Sequence, residues 1–153
     1  MKRLIVLTFF GCFIFAISQA QSIINPGFET GSLSPWAIWH PATSAGTAVV
    51  STNAHSGTYA ATISGGVCSI EQIVSGLKPW TKYTMSAWVK IASAGDSVTL
   101  GVKKYRAGLQ TTVKIMNTGY AKYSISFVTG NIDTTATFYL VTSDSHAIAT
   151  ADD

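Results

Sequence analysis

Apolar and polar residues alternate with a period of two through most of this chain, and no stretch sustains a helical period. The clearest case is Lys82–Ile91. Tyr83, Met85, Ala87, Val89 and Ile91 share one face there, and Thr84, Ser86, Trp88 and Lys90 share the other. Thr47–Thr52, Thr58–Ser64 and Val67–Val74 precede it, separated by Asn53–Gly57 and Gly65-Gly66. After a loop at Ala92–Asp96, Val98, Leu100 and Val102 point one way and Thr99, Gly101, Lys103 and Tyr105 the other. Gln110–Met116, Tyr123–Val128 and Thr135–Thr142 complete the series. Ser143–His146 reads as a turn of short polar residues. The chain then runs out at Ala149–Asp153 on two acids, with no strand expected after them. About eight strands at short spacing predict an all-β fold, an antiparallel β-sandwich. One face of each sheet should be packed and the other wet.

The first twenty residues break the pattern. Lys2 and Arg3 precede an almost wholly apolar run from Leu4 to Ile17, and Ser18-Gln19-Ala20 offers small residues for cleavage. The run is shorter than the roughly twenty residues of a membrane span. Phe9-Phe10-Gly11 is a poor match to the small-residue box that precedes a lipidated cysteine at Cys12. Residues 1–20 are therefore expected to be a signal peptide cut after Ala20, leaving 21–153 as one secreted, periplasmic or cell-surface domain. Cleavage lowers the ten Lys and Arg to eight, against seven Asp and Glu, so the net charge of +3 falls to +1. No polyanion partner, nucleic acid included, follows from that total. Of the two cysteines only Cys68 survives, so no internal disulfide can form. A small exported domain of this kind relies on its core or on a metal.

The most unusual local feature is Asn25-Pro26-Gly27-Phe28-Glu29-Thr30-Gly31, closed by Pro35-Trp36. A lone acid sits among turns and aromatics in a chain poor in acids. Such a carboxylate needs a cation or a set of backbone donors.

Asn25–Glu29, Trp36, His55-Ser56-Gly57-Thr58-Tyr59, Gly76-Leu77-Lys78-Pro79, Tyr83–Lys90 and Asp152-Asp153 follow one another in an order that resembles the carbohydrate-binding modules of families 4, 9, 16 and 22. The resemblance covers nearly all of the mature chain. It implies a jelly-roll sandwich, galactose-binding-domain-like, with a structural Ca2+ and a glycan-binding face or cleft. In such modules a closing strand normally follows the acidic pair, so this sequence looks truncated before its last strand. The calcium candidates are Glu29, Asp152 and Asp153, since calcium takes six to eight hard oxygens. Carbonyls of the turn from Asn53 to Gly57 would complete the shell, as the resemblance implies. The alternative is a Glu29 that accepts backbone hydrogen bonds beside two solvated acids. His40, His55 and His146 make no metal-ligand spacing.

Sugars stack their C–H faces on aromatic rings and offer hydroxyls to polar side chains. Trp88, Tyr105 and Tyr139 fall on the polar faces of strands, beside Lys90 and Lys103, and Trp39 lies in a loop-rich stretch. These are the expected glycan contacts, with the face carrying Trp88 as the principal one. The competing explanation is that these side chains cap a second packed face or form cross-strand pairs. Trp36 is expected in the core, and Trp80 as a rim or packing residue. Catalysis finds no support. Glu29 and Glu71 are the only glutamates, and no Ser-His-Asp spacing, nucleophile elbow or phosphate loop is visible. The expected function is non-catalytic polysaccharide binding that serves an attached or co-secreted glycoside hydrolase. The alternative is a structural or adhesion sandwich of a surface protein without a glycan site.

Overall fold

Valine, isoleucine, threonine and aromatic residues on alternating positions suit a pleated, half-buried surface. In the computed structural model, which describes residues 22–153, they form ten strands and no helix. The expected signal peptide lies outside the described residues. The strands are β1 (Ala37–Trp39), β2 (Thr47–Ser51), β3 (Ala60–Ser64), β4 (Cys68–Ser75) and β5 (Lys82–Ile91), then β6 (Val98–Lys103), β7 (Gln110–Ile115), β8 (Ala121–Val128), β9 (Thr135–Thr142) and β10 (Ala149–Asp152). They pair as two five-stranded antiparallel sheets. The first has the order β1-β4-β9-β6-β7 and the second β2-β3-β10-β5-β8. The two inner faces meet in one core that includes Phe28, Ile63, Ile70, Val89, Val102, Ile125 and Leu140.

The count is ten rather than about eight because two strands carry almost no periodic signal. β1 has three residues, at a sheet edge. β10 is Ala-Thr-Ala-Asp, with neither a bulky nor an aromatic side chain. The sequence reading placed no strand over Ala149–Asp153, and that is corrected here. β10 lies between β3 and β5, where Ala149 and Ala151 pack into the core opposite Ile63, Ile91, Ala61 and Val89. Small residues suit that central position because larger neighbours on both flanking strands fill the space.

The register of the first sheet sets out its outer face in rows. One row runs Trp39–Ser69–Val141–Thr99–Lys114 across all five strands. The next runs Ala37–Glu71–Tyr139–Gly101–Thr112, and a third Ile73–Thr137–Lys103–Gln110.

Candidate functional site

A groove of about 340 Å³ crosses this outer face, lined by Trp39, Ser69, Glu71, Lys103, Lys104, Gln110, Tyr139 and Val141. A second hollow of about 330 Å³ shares Glu71 and Lys104 with it, so the two form one extended depression. Trp39 is 54% exposed on one wall. Tyr139 forms part of the floor. Its ring lies against Gly101, where an added Cβ would stand 2.3 Å from the ring. Glycine is therefore required at 101 for close approach rather than for backbone freedom. The Lys103 ammonium sits 4.9 Å above the Tyr139 ring and reaches Glu71 at 2.8 Å. Ser69 also donates to Glu71, at 2.9 Å. Burial, and then the charge of Glu71, pushes the Tyr139 phenol above its ordinary pKa. The groove thus offers an exposed aromatic wall and a connected floor of donors and acceptors.

The turn at residues 55–59 is the other organised region. Asp152, on the outer face of the second sheet, is only 2% exposed. Its Oδ2 accepts the backbone N–H groups of His55 and Ser56 at 2.8 and 2.9 Å. Its Oδ1 accepts the N–H of Asp153, whose own carboxylate accepts the Ser56 hydroxyl. Two residues further along the turn, Thr58 and Tyr59 donate their N–H groups to Glu29. Asn25 braces the corner that holds Glu29. Its side-chain amide donates to the carbonyls of Ser32 and Ser34, and its carbonyl accepts the Trp36 indole N–H. The turn lays His55 flat on Trp88, with centroids 3.8 Å apart and planes at 13°. Tyr120 meets His55 edge-on and donates to the Asn53 carbonyl. Its phenol is pushed up to about 12 by burial and by Asp152. Lys90 caps the Tyr120 ring and donates to the Asn53 side chain.

The six expected glycan contacts therefore separate. Trp39, Tyr139 and Lys103 come together in the groove. Trp88 and Lys90 stand on the opposite sheet, with Trp88 covered on one side by His55. The expectation for Tyr105 is corrected: it is buried, packed 5.0 Å from Phe127, with its hydroxyl on Thr111. Lys104 just before it has φ of 57°, which breaks the alternation and turns Tyr105 inward. Trp36 packs against the core, and Trp80 is an exposed rim residue under the Arg106 guanidinium. Glu71, Gln110, Ser69, Lys104 and Val141 are groove residues that the sequence reading missed. The alternation marks Glu71 and Ser69 as outward-facing, but only the register shows which outward faces adjoin. Trp88→Ala is expected to lower the melting temperature by several degrees, because His55 loses its platform, while retardation on a glycan gel persists. Loss of retardation at an unchanged melting temperature would instead make Trp88 a ligand contact.

Of the expected metal ligands, Glu29, Gly57, Asp152 and Asp153 meet at this turn, and Asn53 is engaged by Lys90 and Tyr120. The donor set is all oxygen. Glu29 Oε1 and Asp152 Oδ2 each accept two N–H groups, which leaves lone pairs on Glu29 Oε2, Asp152 Oδ1 and Asp153. No three acidic, histidine or cysteine side chains close into a cage among the described residues, so carbonyls would have to complete any shell.

A sequence profile described as a carbohydrate binding domain matches residues 20–146. The chain belongs to this family of carbohydrate-binding domains, and glycan binding is its biochemical class. A keratan-sulfate endo-1,4-beta-galactosidase of Sphingobacterium multivorum is 42% identical over 115 residues, 75% of this chain and 26% of that protein. The chain thus spans about a quarter of the relative's length. Among solved structures, a family 61 module in complex with beta-1,4-galactotriose superposes with a TM-score of 0.64 at 24% identity, covering 88% of this chain and 96% of that one. A family 16 module gives 0.70 at 23% identity, covering 86% and 95%. At such identities these two establish a shared fold.

Proposed function

We propose that the protein holds a galactose-containing polysaccharide, without cleaving it, in the groove on the outer face of the first sheet. The observation that carries this reading is the exposed Trp39 ring standing beside the Glu71–Lys103–Tyr139–Gln110 floor. Trp39 supplies the stacking surface, and the floor supplies donors and acceptors for sugar hydroxyls. Glu71 is the one carboxylate lining the groove, whereas two-carboxylate glycoside hydrolysis needs a pair. The relative's galactose-polymer substrate supports galactose as the sugar. Its greater length supports a role in bringing an attached or co-secreted glycoside hydrolase to its substrate. Export follows if residues 1–20 are the signal peptide expected from the sequence; no helix of the described residues is long and apolar enough to cross a membrane. Affinity electrophoresis through keratan sulfate, β-1,4-galactan, xylan and β-glucan tests the reading. Retardation on the galactose polymers is the expected result. A folded protein retarded by none of the four would overturn it in favour of a structural sandwich domain.

A bound calcium fits the same scheme as a structural tie. Glu29, Asp152 and Asp153 would hold it together with carbonyls of residues 53–57, and no Lys or Arg side chain pairs with these acids among the described residues. EDTA should lower the melting temperature by several degrees and added calcium restore it. An unchanged midpoint would leave the backbone donors as the sole partners of these carboxylates.

A further inference from the structure

The outer face of the first sheet is more basic than the chain as a whole. It carries Lys103, Lys104 and Lys114 against Glu71 alone, a net of +2 on one face. The other acids lie in the turn clasp (Glu29, Asp152, Asp153) or in loops between strands (Asp96, Asp133, Asp144). Glu71 is already paired with Lys103. Among the described residues neither Lys104 nor Lys114 has a carboxylate within ion-pair distance. Lys104 lines both halves of the depression, and it does so from a left-handed φ of 57° that lysine rarely adopts. Lys114 ends the row that begins at Trp39. Five strands at the usual spacing make that row about 19 Å long. A glycan stacked on Trp39 meets Lys104 where it lies in the depression, and a segment of it running across the strands along this row ends at Lys114.

A neutral sugar offers an ammonium only hydroxyl dipoles, poor replacement for its strong hydration. A sulfate ester or a carboxylate offers a charge-assisted hydrogen bond. Resting on the groove reading above, we infer that the bound glycan is anionic, its charge carried by sulfate esters or uronate carboxylates, with Lys104 and Lys114 as the charge contacts. The small net charge of the whole chain hides this, because the excess sits on one face.

Calorimetric titration with keratan sulfate, chemically desulfated keratan sulfate and polygalacturonate, each at low and high salt, tests the inference. Keratan sulfate should bind about tenfold tighter than its desulfated form at low salt, and high salt should shrink that ratio. The double variant Lys104→Gln, Lys114→Gln should bring the ratio close to one; both side chains are exposed, and its melting temperature verifies folding. Polygalacturonate binding comparable to keratan sulfate would uphold the inference with charge alone as the determinant, and its absence would uphold it with sulfate as the group read. Equal, salt-independent binding of sulfated and desulfated chains would overturn the inference and leave the groove reading standing. Binding of neither would overturn the groove reading itself.

Discussion

Replacing Asp152 with alanine should lower the melting temperature by roughly 10 °C, the largest stability loss expected of any single polar substitution in this domain. The carboxylate is buried at 2% exposure and fastens the 55–59 turn through two backbone N–H groups. Hydrogen bonds to a charged group contribute about 1.5–3 kcal/mol each, and alanine leaves both donors without an acceptor. Water entering the space recovers part of that, so a net loss of about 3 kcal/mol is expected. The effect spreads because the turn also carries His55 onto Trp88 and presents Thr58 and Tyr59 to Glu29. Asp152→Asn keeps the shape and one acceptor oxygen, and should cost about half as much. Scanning calorimetry of both variants makes the check. A midpoint within about 2 °C of wild type for Asp152→Ala would show that the turn is held by other contacts.

Replacing Trp39 with alanine should weaken glycan binding about 30-fold while moving the melting temperature by no more than about 1 °C. The ring is 54% exposed and sits on a three-residue edge strand, so little core is lost with it. In a glycan complex the same ring would be the largest apolar surface taken out of water. Truncating a buried aromatic anchor typically costs 2 kcal/mol or somewhat more, hence the factor. Trp39→Phe keeps a smaller face and should fall between. Calorimetric titration with β-1,4-galactan reads the affinity, and thermal unfolding of the same samples reads the fold. Unaltered affinity in Trp39→Ala would move the site away from this wall. A parallel drop in melting temperature would mark Trp39 as part of the packing.

Period-two alternation by itself placed β2 to β9 to within two residues at most ends and assigned the inward residues of β5, β6, β8 and β9. That information is local: each side chain's face follows from its parity along one strand. It failed where parity has no carrier. β1 is too short to show a period, and Ala-Thr-Ala-Asp in β10 has no apolar contrast to display. It failed again at Tyr105, where a left-handed Lys104 reverses the parity of everything after it within the turn.

The clasp was legible in part. An acid among turns demands partners, and Glu29 and Asp152 do meet at one turn, although sequence alone left open whether a cation or backbone donors would serve them. The sugar site was legible only as a set of residue types. Tyr139, Lys103 and Trp88 read as outward-facing strand residues and Trp39 as a loop contact, and nothing in their spacing says which of them adjoin. Strand order separates them. Pairing of β1 with β4, and of β9 with β4 and β6, brings Trp39, Glu71, Tyr139 and Lys103 onto one face, while β5 carries Trp88 to the other sheet. The sequence by itself determined the sandwich, its inward faces and the family to which the chain belongs, because those depend on local alternation and ordered motifs. The tertiary structure alone decided which outward faces adjoin, that His55 covers Trp88, and that Lys103 and Lys104 line one groove with Tyr139, because long-range pairing between strands far apart in the chain sets those neighbours.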